Sequence, residues 1–251
     1  MIKTYRIATK AFAGTFPVAI TISVILALAK QFLPDTSLAG SLIAFALVAF
    51  YAHRAILLGE THSWRGSFRK PPQSTPAVKL GPFLWRMFIW WGLCAGIWIG
   101  LYFAQKSLVF ASSDAITSDQ ATGLVIVSLA LTVVFALPFL AAFGSMLPAA
   151  AIGGTADVSA AWRRGRRRFW PTLGRLWGGN VLFYALGSGL LLWLVPETGN
   201  PGIDAALQIP FELVGIFAIY LTAAALSLAY TETEGEDPRA PGQTGTAPDL
   251  S

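Results

Sequence analysis

The chain has 251 residues, 55% of them hydrophobic and only 12% charged, with a formal net charge of +5 and a pI of about 9.6. Soluble domains carry about a quarter charged residues, so this composition excludes an ordinary water-soluble enzyme. It predicts an all-α, polytopic transmembrane bundle: a bilayer core of ~30 Å takes ~20 apolar helical residues per span, and the length holds about six spans with short loops and no separate soluble domain.

Residues 1–11 form a basic N-terminus with Lys3, Arg6 and Lys10. The first apolar run follows from Phe12 to Leu33, with Pro17 near its start. A positive leader, an apolar core and Ala27-Leu28-Ala29 also match a cleavable signal peptide. The run is long for that role, so an uncleaved span is the simpler reading. Pro34-Asp35-Thr36-Ser37 reads as a turn, and the second run extends from Leu38 to Leu58, ending near His53 and Arg54. The third runs from Pro82 to Ala104, with Arg86 one turn inside it. The fourth, Gly123 to Ile152, contains Pro138 and Pro148; a kink is expected at Pro138, where a backbone donor is missing. The fifth run is Pro171 to Val195 and the sixth Ile209 to Tyr230, giving a membrane domain over 12–231. All are continuously apolar and too long for barrel strands, which alternate over ~10 residues. Residues 232–251 are acidic, then rich in Pro, Gly and Thr, and predict a disordered tail.

Alternating spans from a cytoplasmic N-terminus put 16 of the 18 basic residues on the inner side. These are Lys3, Arg6, Lys10, Arg54, Arg65, Arg69, Lys70, Lys79, Arg86, Arg163, Arg164, Arg166, Arg167, Arg168, Arg175 and Arg239. Only Lys30 and Lys106 fall outside. Lys and Arg concentrate in cytoplasmic loops, so both termini are expected in the cytoplasm. A five-span chain with a cleaved leader keeps the same sidedness.

Between the fourth and fifth spans, Thr155 to Trp170 reads TADVSAAWRRGRRRFW. Thr155 or Asp157 can cap a helix start. At 100° per residue, Val158, Ala161, Trp162, Gly165 and Phe169 gather on one face. Arg163, Arg164, Arg166, Arg167 and Arg168 spread over the other, the pattern of an interfacial amphipathic helix. Trp170 departs from it and marks the turn into Pro171. Such a segment anchors topology, and it also suits anionic lipid headgroups, at ~1 kcal/mol per Arg near the surface. An arginine run also suits nucleic acid, but one pinned to a membrane face is not expected to bind it.

Gly92, Gly96 and Gly100 make a stripe along the third span, a spacing that lets another helix approach within the bundle or from a second copy. Ala141, Ser145 and Ala149 repeat it, and the fifth span holds Gly178, Gly179, Gly187 and Gly189. Asn180, the most interior strong polar group, predicts an interhelical hydrogen bond. Cys94 stands alone in an apolar run and reads as a packing residue.

No ionisable residue lies near the centre of a predicted span, where transporters and pumps place them. His53, Glu60 and His62 are the nearest approach to a catalytic or metal cluster, but their spacing is not that of a zinc protease. No GxSxG elbow, P-loop or dinucleotide fingerprint occurs, so neither enzyme activity nor a cofactor or metal is expected.

The stretch Gly144-Ser145-Met146-Leu147-Pro148-Ala149-Ala150-Ala151, followed by Ala160-Ala161-Trp162-Arg163-Arg164-Gly165-Arg166, resembles small bacterial six-span proteins. These are similar to the membrane domain of some glycerophosphodiester phosphodiesterases and to its stand-alone alphaproteobacterial relatives. The likeness covers the span pattern loosely and about thirty residues closely. It implies a bacterial inner membrane and no catalytic residues, since no phosphodiesterase domain follows. The expectation is therefore a membrane-organising protein in contact with anionic lipid, with a small transporter or permease subunit as the alternative.

Overall fold

The computed structural model describes residues 1–60, 80–109, 117–194 and 198–234, all helical or in short connections, without a strand among them. Helices α1 (Ile2–Phe32), α2 (Pro34–Leu58), α3 (Leu80–Val109) and α4 (Ser118–Phe143) come first. Then follow a short α5 (Met146–Ile152), α6 (Val158–Leu176), a π-helical turn (Trp177–Val181), α7 (Leu182–Leu194) and α8 (Pro201–Glu234). Among the described residues, five helices are long and apolar enough to cross a membrane: Ile2–Phe32, Ala39–Leu58, Leu80–Leu108, Gln120–Phe143 and Pro201–Glu234.

The element boundaries follow local chemistry. Pro34 opens α2 at a position where its missing N–H costs nothing. Thr117 and Gln120 close a reciprocal capping box on α4, and Asp157 caps α6 by accepting from the Ala160 N–H at 2.8 Å. The long fourth run is two helices. Helix α4 continues past Pro138 to Phe143, and the interruption falls at Gly144–Ser145, before α5. Pro148 then sits in the first turn of α5, where no intrahelical bond is lost.

The fifth run, Pro171 to Val195, is not one uniform helix through its described part. Arg168 leaves helical geometry at φ −122°, ψ 24°. Pro171, three residues on, cannot donate to the Arg167 carbonyl and crowds it. The π turn follows at Trp177–Val181, before α7. The hydroxyl of Tyr5 reaches the Gly178 and Gly179 carbonyls at 3.1 and 3.2 Å, so α1 serves backbone groups in this turn. Asn180 donates its side-chain N–H to Thr222 Oγ1, the interhelical bond expected of it.

Helix α8 is the centre of the bundle. Its buried positions include Ala218, Ala223, Ala224, Ala225 and Ala229, small enough for neighbours to approach on every side. One core cluster joins it to α1 and α2 through Ile7, Ala19, Val48 and Leu221. The other joins it to α2, α3, α5 and α6 through Phe50, Phe83, Leu147, Leu176 and Leu226. Helix α1 lies antiparallel to α8, with Thr15 bonded to the Tyr220 hydroxyl at 2.5 Å and Lys30 to Glu212 at 2.6 Å. The path from α6 to α7 also runs antiparallel to α8, from Arg175 beside Glu232 to Gly187 beside Val214. Helix α8 persists through Glu234, so the first residues assigned to the tail are helical; residues 235–251 lie outside the described chain.

Polarity is partly reversed relative to a soluble fold. Ser23, Ser128, Thr132 and Ser227 are buried, whereas Ile25, Phe103, Ile126, Phe135 and Leu186 are exposed. Ser23 and Thr132 return their hydroxyls to carbonyls four residues back at 2.9 and 2.7 Å, which satisfies them without water. This surface and the five apolar helices are consistent with membrane insertion.

Candidate functional site

The described polar chemistry concentrates at one pole, where α2, α4 and α8 end and α3 and α6 begin. Gly59 takes up φ +66° after α2, a conformation open to glycine, and the chain turns so that Glu60 meets Arg54. The Arg54 guanidinium donates to both carboxylate oxygens, at 2.8 and 2.5 Å, and to the Ala151 carbonyl at 3.1 Å. Arg54 is only 2% exposed. From α3, Arg86 donates Nε and Nη2 to the Ala156 carbonyl, at 3.1 and 2.8 Å, and Nη1 to Pro82 at 2.7 Å. From α6, Arg164 donates to the Thr155 carbonyl at 2.8 Å, Glu234 at 2.8 Å and Ser145 at 3.3 Å, with its cation over the Tyr230 ring.

Three arginines from three helices thus converge on the carbonyls of Ala151, Thr155 and Ala156. Ala151 belongs to the last turn of α5, whose carbonyls have no partner within the helix and carry its negative dipole end. Arg175 adds a two-pronged bond to Glu232, at 3.2 and 2.8 Å. The two terminal acids of α8 are therefore held by α6.

The five arginines expected to act as one lipid-facing set are parted. Arg164 is buried and ion-paired, so it does not face outward with the others. Arg163, Arg166 and Arg167 are exposed, and Arg168 sits partly buried at the break in α6. The apolar side of α6 also packs on protein: a Cβ on Gly165 would lie 1.8 Å from the Ala142 carbonyl oxygen. Trp162 stacks on Phe143 with centroids 5.4 Å apart, yet remains half exposed beside the outward arginines. Trp170 is more exposed still.

Gly92, Gly96 and Gly100 face open space; a Cβ on any of them meets nothing within 4 Å. Helix α3 uses its opposite side against the described bundle. His53 is buried, with Nδ1 3.0 Å from the Ser227 hydroxyl, while Glu60 serves Arg54. His62 lies outside the described residues, as do Arg65, Arg69, Lys70, Lys79 and Arg239. Among the described residues, no group of three or more His, Cys, Asp or Glu side chains is placed to hold a metal. At the other pole, Glu212 is almost fully buried against Lys30, a pair not anticipated from sequence because 182 positions separate its members.

Two of the apolar cavities between the described helices bear on ligand binding. One of about 200 Å³ lies between α1, α2 and α8 beside Thr15 and Tyr220. Another of about 300 Å³ opens between α3, α4 and α5, with Arg86 on its wall. Comparison with protein-family models, curated proteins and solved structures gave no match, so none links the chain to glycerophosphodiester phosphodiesterase membrane domains.

Proposed function

We propose that this chain is a six-span protein of a bacterial inner membrane, with cytoplasmic termini, that organises the surrounding bilayer by holding anionic headgroups on Arg163, Arg166 and Arg167. The supporting observation is the division within α6. One arginine is consumed inside the bundle, while three remain outside without a described carboxylate partner, beside exposed Trp162 and Trp170. Tryptophan beside cation is the composition of a headgroup-level helix, and the first half of α6 is read as that interfacial helix. The sixth crossing is assigned to the broken path from Pro171 to Leu194. Broken helices are tolerated at membrane depth when protein satisfies the freed backbone groups, as Tyr5 does here.

Cytoplasmic placement of the arginine pole follows from the positive-inside rule, with Lys30 and Lys106 at the other end. The bacterial setting draws on the likeness of residues 144–151 and 160–166 to the six-span group. A role without catalysis is favoured because His53 and Glu60 are already engaged with Ser227 and Arg54.

Changing Arg163, Arg166 and Arg167 together to Gln removes about 3 kcal/mol of attraction at ~1 kcal/mol each. The expected result is a large fall in co-purified anionic phospholipid relative to zwitterionic lipid, measured by mass spectrometry, at an unchanged unfolding temperature. An unchanged lipid ratio would reject the assignment. Topology has its own check: reporters fused after Ser251 and inserted between Val109 and Ser118 are expected on opposite sides of the membrane. Finding both on one side rules out six spans.

A further inference from the structure

We infer that the cavity between α3, α4 and α5 is a lateral groove that holds one acyl chain of an anionic phospholipid, with its phosphate on Arg86. The inference rests on the membrane reading above but not on the outward arginines of α6.

The groove has about 300 Å³ of space, at the small end of ligand pockets. Ile89, Trp90 and Leu93 wall it from α3, and Phe139 and Phe143 from α4. Ile89, Leu93 and Phe139 are also exposed, so the groove opens sideways to the surroundings of the bundle. Among its described lining residues Arg86 is the charged one. It stands six residues inside α3, about 9 Å from the helix start at 1.5 Å per residue, which places it near headgroup depth at the arginine pole. Leu93 continues the wall two turns deeper.

The state of Arg86 decides the occupant. Its bonds to Ala156 and Pro82 use three of the five guanidinium N–H groups. These bonds fix the plane of the group and leave two donors. All its partners are neutral carbonyls, and no described carboxylate balances it. Arg54, Arg164 and Arg175 each have one. An oriented cation with two spare N–H groups suits phosphate oxygens, and an apolar groove running inward from it suits a hydrocarbon tail. A phospholipid joins those two parts in that order.

The test is native mass spectrometry of the full chain in mild detergent, titrated with phosphatidylglycerol or with phosphatidylcholine of identical tails. Both lipids carry the phosphate, but the choline ammonium offsets its charge and competes with Arg86 for it, so the first phosphatidylglycerol is expected to bind the wild type about tenfold more tightly than the first phosphatidylcholine. Arg86→Gln is expected to erase that preference. Leu93→Trp, which fills the groove without touching the pole, is expected to weaken both lipids. The triple Gln variant of Arg163, Arg166 and Arg167 is expected to keep the first tight lipid and lose later ones. Wild-type preference in Arg86→Gln, or wild-type affinity in Leu93→Trp, overturns the inference. Loss of the first lipid only in the triple variant also overturns it while leaving the proposed function standing. Loss only in Arg86→Gln does the reverse.

Discussion

Arg54→Ala is expected to lower the stability of the folded chain by about 3–5 kcal/mol, the usual cost of breaking a buried ion pair from one side. Three effects act together. The largest fully buried side chain among the described residues is removed, leaving a void that the surroundings fill only in part. The Ala151 carbonyl loses a donor, and Glu60, 18% exposed, keeps a charge without its partner. Arg54→Met separates volume from charge, because it fills most of the space, and is expected to recover part of the loss. Adding Glu60→Gln to Arg54→Met is expected to recover more. The coupling read from this double-mutant cycle falls within about 0.5–3 kcal/mol. Denaturation in mild detergent, followed by tryptophan fluorescence, measures wild type, Arg54→Ala and the three variants of the cycle, Glu60→Gln alone included. Equal stability of wild type and Arg54→Ala would mean that the pole does not close on Arg54.

The second large effect is expected at Gly165. Alanine is normally the better helix residue by about 1 kcal/mol, so Gly165→Ala in an unpacked helix would stabilise. Here the added methyl would overlap backbone, not a movable side-chain tip, because its neighbour is the Ala142 carbonyl. Helix α6 must then lift from α4, disturbing the Trp162–Phe143 stack. A net loss of about 1–3 kcal/mol is expected, as for overpacked cores. Gly96→Ala is the matched control: the same substitution in a helix, in open space, is expected to be neutral or slightly stabilising. If both variants behave alike, Gly165 is not a contact point.

The contrast between these glycines shows what the sequence could and could not convey. Small residues four apart announce that close approach is possible, not whether it happens. Gly92, Gly96 and Gly100 have the longer repeat yet face open space, whereas Gly165, with only Ala161 four residues before it, meets the Ala142 backbone. Apolar length, by contrast, was sufficient to locate α1 to α4 and α8, because crossing a hydrocarbon layer is a one-dimensional requirement. The Asp157 cap and the Asn180 bond were also legible, since each follows from a local rule or from a lone polar group in an apolar run.

Arg164 was within reach of the sequence as well. It lies four residues after Ala160 and three after Ala161, about 60° or less from each around the helix, and so shares their buried side. Grouping by residue type hid it. The break at Arg168 and the π turn were less accessible. Pro171 warns of a defect, but where the defect settles depends on which neighbour accepts the freed backbone. Tyr5, at the far end of the chain, decides that. The Lys30–Glu212 and Arg164–Glu234 pairs belong to the same class, because their partners meet only when the bundle is assembled.

The central position of α8 has a consequence in time. The helix around which α1 and α2 pack is the last described one to leave the ribosome. Until it arrives, Ile7, Ala19 and Val48 have no Leu221 to rest on, and Arg164 and Arg175 wait for Glu234 and Glu232. Membrane helices can insert first and associate later; here the second stage is deferred until synthesis has passed residue 234. The early helices therefore remain a loose, charge-bearing group until α8 has been made, and the bundle closes on that late helix as a lock turns only once its pin is set.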